Sequence, residues 1–272
     1  MTGNTARVTP GDLLALRAGR ARRVLGPAEL PTDPAAAYTL AAETVAGAGR
    51  PVAAWKLGAT TAGTRATFAT DTIYFGALYG EEIWVAGESP AHMPPPVFRA
   101  EAEIAFRLAI DIAAADAVRI AANTPSEALF DAWTPALEAP YSCIINIPEA
   151  GLTALLSDRC AAGALFLGAP RPDVRDPDID SEIAILIDGA VAAAATASKA
   201  LLMSPSEAAR GFIIEAGRQG VSLGRGQWIS TGGITPCIDL PSDGTPISLS
   251  FTGETVFTLD LLPVPPEAGK PA

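Results

Sequence analysis

Two glutamates stand two residues apart in VFRAEAEIAFRL, residues 97–108, a segment otherwise rich in apolar side chains. Its even positions are Phe98, Ala100, Ala102, Ile104, Phe106 and Leu108, and its odd positions include Arg99, Glu101, Glu103 and Arg107. On a strand this alternation sends both carboxylates to one face and the apolar set to the other. An open strand face would simply solvate them, with Arg99 and Arg107 as ordinary charge partners. On a covered face the like charges repel, and a hard divalent cation such as Mg²⁺ or Mn²⁺, which prefers oxygen ligands, offsets them. Glu138, in WTPALEAPYS between Pro135 and Pro140, is the best third carboxylate, because an unpaired charge is costly in that apolar context. Three carboxylates would take one face of an octahedron and leave the other to water or substrate. Lys56, in AAWKLGATT, is the matching cation. Such a lysine either snorkels to the surface or, buried beside a metal site, holds an anionic substrate or transfers protons.

The rest of the chain restricts the chemistry further. His92 is the single histidine, so a Ser-His-Asp or Cys-His catalyst would have to use it, and it sits in the Pro-rich SPAHMPPP, where an exposed loop position is expected. Cys143, Cys160 and Cys237 are odd in number and widely spaced, which fits neither a disulfide framework nor a zinc site. A net charge of -11 argues against nucleic acid or an anionic membrane surface as a partner. The one basic run, RAGRARR at 17–23, reads as a solvated helix face without function. No apolar signal core and no apolar run of about 20 residues is present, so a cytoplasmic protein is expected.

The elements that must position these groups are legible in part. Thr9-Pro10-Gly11-Asp12, Thr124-Pro125-Ser126-Glu127 and Ser204-Pro205-Ser206-Glu207 each pair a capping hydroxyl with a proline and an acid three residues on, predicting helices over 10–24, 125–131 and 205–219. Asp33-Pro34 opens another, over 34–47. Strands are predicted at 52–58, 82–86, 97–108 and 163–168, and in two hairpins turning at Asp188-Gly189 and Thr252-Gly253. Composition thus shifts from a helix-rich region, 1–80, to a β-rich domain, 81–263, with a disordered tail expected at 264–272. Few helices lie between the strands, which favours a mixed or antiparallel α+β architecture over a doubly wound sheet.

These segments together resemble the 2-hydroxy-dienoate hydratases and 4-oxalocrotonate-type decarboxylases of the fumarylacetoacetate hydrolase superfamily. WKLGATT is similar to the family's K-[IVL]-G-x-T-S segment, AEAEIAF to its E-x-E segment and PALEAPYS to the stretch with its third glutamate. SDRCAAGALFLGAP and GQWISTGG follow in the family's order. The resemblance implies a β-roll, barrel-like catalytic domain behind a smaller helical N-terminal region, assembled as a homo-oligomer. It implies Mg²⁺ or Mn²⁺ on Glu101, Glu103 and Glu138, and a small 2-oxo acid substrate beside a catalytic Lys56. A Lewis acid on the 2-oxo group would stabilise an enolate, the electron sink for hydration or for loss of CO₂.

The departures from the family pattern bear on the reaction. Tyr74, in IYFG, stands where hydratases carry an aspartate, Thr61 where they carry a serine, and Arg159 where an asparagine follows Asp158. Ala162 replaces a Ser or Asn, and Lys199 is unusual at its position. Thr61, Tyr74 and Arg159 are accordingly expected to contact substrate, Arg159 as a second anion contact or as an ion-pair partner. The leading expectation is a carbon-oxygen lyase of the hydratase type. The alternatives are a decarboxylase of a 4-oxalocrotonate-like diacid, alone or with a partner hydratase, and a non-catalytic ligand-binding or partner subunit.

Overall fold

The computed structural model describes residues 6–87, 99–173 and 177–259. His92 and the expected tail at 264–272 lie outside them.

Two sheets carry the fold. The larger is built from β1 (Val52–Gly58), β2 (Tyr74–Tyr79), β3 (Ile83–Val85), β4 (Arg99–Leu108), β5 (Phe130–Ala139), β6 (Ala164–Leu167), β9 (Trp228–Ser230) and the short β10 (Ile238–Asp239). Its order is β2-β1-β9-β4-β5-β6-β3, with β10 paired to β4, and parallel β1–β9 and β3–β6 pairs among antiparallel ones. The smaller sheet, β7 (Glu182–Ile187), β8 (Ala190–Thr196), β11 (Ile247–Phe251) and β12 (Glu254–Leu259), is antiparallel in the order β12-β11-β7-β8. Both hairpins turn as expected, because Asp188, Gly189, Thr252 and Gly253 all take positive φ. This is a mixed α+β architecture.

The even-numbered residues of β4, from Ala100 to Leu108, enter the main core with Trp55, Phe75 and Ile229, against Phe212 and Ile213 of the helix Pro205–Arg218. That helix opens with a complete Ser204–Glu207 capping box. The opposite face of the large sheet is not wet. There Ala54, Ala105, Ala132 and Ala136 cluster with larger residues such as Leu78, Leu165 and Trp228, and the alanines leave room for the polar groups described below. Among the described residues no helix is long and apolar enough to cross a membrane.

Three expectations need correction. The division at residue 80 does not separate two bodies, since β1 and β2 hydrogen-bond into the sheet of β4 and β5. The first helix stops at Ala18, where Gly19 caps it and Arg20 turns left-handed, so RAGRARR is not a helix face. Arg17 is instead half-buried, donating to Asp158 and to the carbonyls of Tyr141 and Ala162. The helix expected at 125–131 is one turn, Ser126–Leu129, without a side-chain cap, because Phe130 already belongs to β5.

Candidate metal centre

Strand register assembles the site. Glu101 lies directly opposite Glu138 in the antiparallel β4–β5 pair, and Glu103 lies opposite Ala136. Cross-strand partners and residues two apart share a face, so all three carboxylates meet on the alanine-lined side. One oxygen from each comes within 4.8 Å of the others. Next along the sheet, Ser230 of β9 pairs with Lys56 of β1 and with Ala105 of β4, which brings Ser230 and the Lys56 side chain to the same face.

These groups are removed from water. Glu103 and Glu138 are 0% exposed, and Lys56 is 7% exposed. Ser230 Oγ and the Gly232 N–H donate to Glu103 Oε2. Glu103 Oε1 and both Glu138 oxygens have no hydrogen-bond partner among the described residues. Lys56 Nζ stands 3.7 Å from Glu138 Oε1, close enough for an ion pair but not for a hydrogen bond. Burial, reinforced by Glu101, pushes the Glu103 carboxyl up to about 8. Burial also raises Glu101 and, further, Glu138. Burial works against charge on Lys56, but Glu138 and Glu101 outweigh it and raise its pKa, keeping the ammonium charged. One lysine cannot neutralise three carboxylates, and three orphaned oxygens converge where a cation could sit. The donor set is all oxygen, which suits Mg²⁺ or Mn²⁺.

A cavity of about 460 Å³ opens onto this cluster, lined by Lys56, Glu101 and Tyr74 together with hydroxyls such as Thr60, Thr61 and Thr64. Thr61 also caps the helix Ala62–Phe68, its Oγ1 accepting from the Thr64 N–H. Tyr74 is buried with its ring against Gly58, where any Cβ would overlap it. Burial raises its pKa, so the phenol stays protonated and can donate. Gly233 is packed so closely that a Cβ would overlap the Glu101 carboxylate.

Of the residues expected at the site, Lys56, Glu101, Glu103, Glu138, Thr61 and Tyr74 come together. Arg159 does not. Its guanidinium is buried, donates to both oxygens of Glu82 at 2.8 and 2.9 Å and to the Ala77 carbonyl, and lies over the Tyr79 ring. The ion-pair reading of Arg159 is the one that describes it, with a buried pair in place of a surface one. Ser230 and Gly232 were missed, because a serine in a short strand and a glycine after it carry no mark of their own in the sequence.

Neither a protein-family model nor a curated protein matches the chain. Solved structures do. A 4-oxalocrotonate decarboxylase from Pseudomonas putida G7, complexed with magnesium and adipate, superimposes with a TM-score of 0.74 at 17% identity, covering 93% of this chain and 95% of that one. The same enzyme complexed with calcium and acetate gives 0.69 at 17% identity, over 94% and 100% of the two chains. The fold is that of the fumarylacetoacetate hydrolase superfamily. A fumarylpyruvate hydrolase from Pseudomonas aeruginosa, in complex with Mn²⁺ and pyruvate, shares it with a TM-score of 0.56 at 14% identity, over 78% of this chain and 90% of that one. The superfamily fold therefore spans both the helix-rich start of the chain and its β-rich remainder.

Proposed function

We propose that this chain is a divalent-metal-dependent lyase of small unsaturated 2-oxo acids. The observation that carries the reading is the trio Glu101, Glu103 and Glu138, which meet within 4.8 Å of one another, with three orphaned buried oxygens on Glu103 and Glu138, beside a cavity lined by Glu101 and the charged Lys56. When bound, Mg²⁺ or Mn²⁺ supplies Lewis-acid stabilisation of negative charge developing on a 2-oxo oxygen. Lys56 binds the adjacent carboxylate of the substrate, and its permanent charge adds to that stabilisation. Tyr74 and the threonine hydroxyls orient the rest of the molecule by hydrogen bonds.

Decarboxylation of a diacid is the reaction the lining favours. Among the described residues of the cavity wall, Lys56 is the one cation and Glu101 the one carboxylate, and Glu101 belongs to the trio. Among those described residues no further acid or imidazole stands ready as a base for water, and the far carboxylate of a diacid would lie among neutral groups of that wall, with no counter-charge there opposing its departure as CO₂. Hydration is the second reading, favoured by the hydroxyl-rich wall, which suits an ordered water. The non-catalytic reading is weakened by position: Arg159 and Ala162 are absent from the cavity wall, so their departure from the family pattern leaves the site whole.

The test is to supply 2-oxohex-3-enedioate and 2-hydroxypenta-2,4-dienoate in parallel with Mg²⁺ or Mn²⁺ and to measure CO₂ directly. CO₂ from the diacid that stops on chelation is expected. Loss of dienoate absorbance without CO₂ assigns hydration, and turnover that ignores metal removal overturns the reading.

A further inference from the structure

An unusual stretch of backbone among the described residues lies beside the site. Arg159, Cys160 and Ala161 follow one another with φ of 51°, 52° and 56°, a left-handed turn of three residues none of which is glycine. Residues with a Cβ avoid this region, and a run of them persists only where surrounding contacts impose it. Those contacts are present. Before the turn, the Asp158 carboxylate accepts from Arg17, from Ser142 Oγ at 2.7 Å and from the Cys143 N–H at 2.7 Å. Within it, Arg159 pairs with Glu82, and Arg159 and Cys160 Sγ donate to the carbonyls of Ala77 and Phe75. After it, the Tyr141 N–H donates to the Ala161 carbonyl.

The turn grips β2 on both sides of Gly76, and Gly76 is the register partner of Lys56. Partners in an antiparallel pair share a face, so the side of Gly76 that lacks a Cβ looks the same way as the Lys56 side chain. The Arg159 carbonyl occupies that space, and a Cβ on Gly76 would overlap it.

We propose that the left-handed turn Arg159–Ala161 is a positioning device for Lys56, fixing through β2 and Gly76 where the ammonium stands relative to the three carboxylates. Arg159 is thus a positioning residue and makes no contact with substrate. The inference rests on the function proposed above for Lys56.

Ala161→Gly tests it, because glycine relaxes the left-handed constraint by removing a single methyl group. The probes are Mn²⁺ alone and oxalate with saturating Mn²⁺, titrated in wild type, Ala161→Gly, Lys56→Ala and the double variant. The expected result is a melting temperature equal to or above wild type and Mn²⁺ affinity within about twofold. Oxalate should bind on the order of fivefold more weakly, with no further loss when Ala161→Gly is added to Lys56→Ala. Arg159→Lys, which keeps the charge but loses the paired geometry to Glu82, should weaken oxalate in the same way. Unchanged oxalate affinity in both variants overturns the inference, as does a loss that persists in the Lys56→Ala background. Failure of the wild type to bind oxalate with Mn²⁺ overturns the functional reading itself and this inference with it.

Discussion

At the scale of single residues, three carboxylates held close together, two of them fully buried, make the metal-free protein sensitive to pH. Glu103 has its pKa raised by burial from an ordinary 4.5 to about 8, so the folded chain keeps a proton that the unfolded chain releases. A carboxyl raised in this way stabilises the fold fully below its unfolded value and loses that contribution as pH climbs through the folded value. The melting temperature of chelated protein should therefore fall between about pH 4.5 and pH 8, and a flat profile across that window would show that the carboxylates are not held as described. Added Mn²⁺ should raise the melting temperature most at the alkaline end, because the ligands must lose their protons to bind it. Glu138→Gln replaces one of the three crowded carboxyls and should abolish the shift in melting temperature caused by Mn²⁺. Ser230→Ala removes the hydroxyl that orients Glu103 and should weaken Mn²⁺ by roughly tenfold, measured by titration. The glutamates were legible because charge interrupts an apolar alternation twice and because prolines bracket Glu138. Ser230 was not, since its role exists only through the register of β9 against β4.

At the scale of elements, signals acting within a few residues were reliable where no following strand overrode them, as β5 does after Ser126–Leu129. The Ser204–Glu207 capping box forms as written, and Ser204→Ala should cost about 1 kcal/mol of stability in urea unfolding, with the site unaffected. The hairpin turns and β1 were equally plain, the latter matching its expected bounds at Val52–Gly58. The order of strands was not legible. The parallel pairing of β1 with β9 joins residues far apart in sequence, and nothing local in WKLG or WISTGG announces the other. The loop after β9 carries the sharpest element-level test. Gly233 leaves room for the Glu101 carboxylate, so Gly233→Ala should displace that carboxylate and weaken Mn²⁺ by about tenfold or more, while the unfolding free energy changes little by comparison. Equal Mn²⁺ affinity in the variant would mean that Glu101 has another way to reach the cation.

At the scale of the whole molecule, the helix-rich start of the chain is bound by charge as well as by apolar packing to the segment that joins β5 to β6 in the large sheet. Arg17, in the first helix, donates to Asp158 and to the backbone carbonyls of Tyr141, Asp158 and Ala162, while Arg22 and Leu25 hydrogen-bond to Ser142 and Asn146. A composition that changes near residue 80 suggested two regions, but composition reports which elements form and not which of them share a core. With Lys56, Thr61 and Tyr74 coming from before residue 80 and the three glutamates from after it, neither part holds a complete site. The two parts should therefore unfold together. A single transition is expected by circular dichroism and by tryptophan fluorescence, with coincident midpoints. Arg17→Ala leaves Asp158, 1% exposed, with its two remaining hydrogen bonds but without its counter-charge, and the loss should be roughly 3–5 kcal/mol. That loss must appear in the one global transition. If the variant instead shows an early, separate melting of the N-terminal helices while the sheet and its Mn²⁺ affinity survive, the two parts are thermodynamically independent and the boundary suggested by composition is physically real.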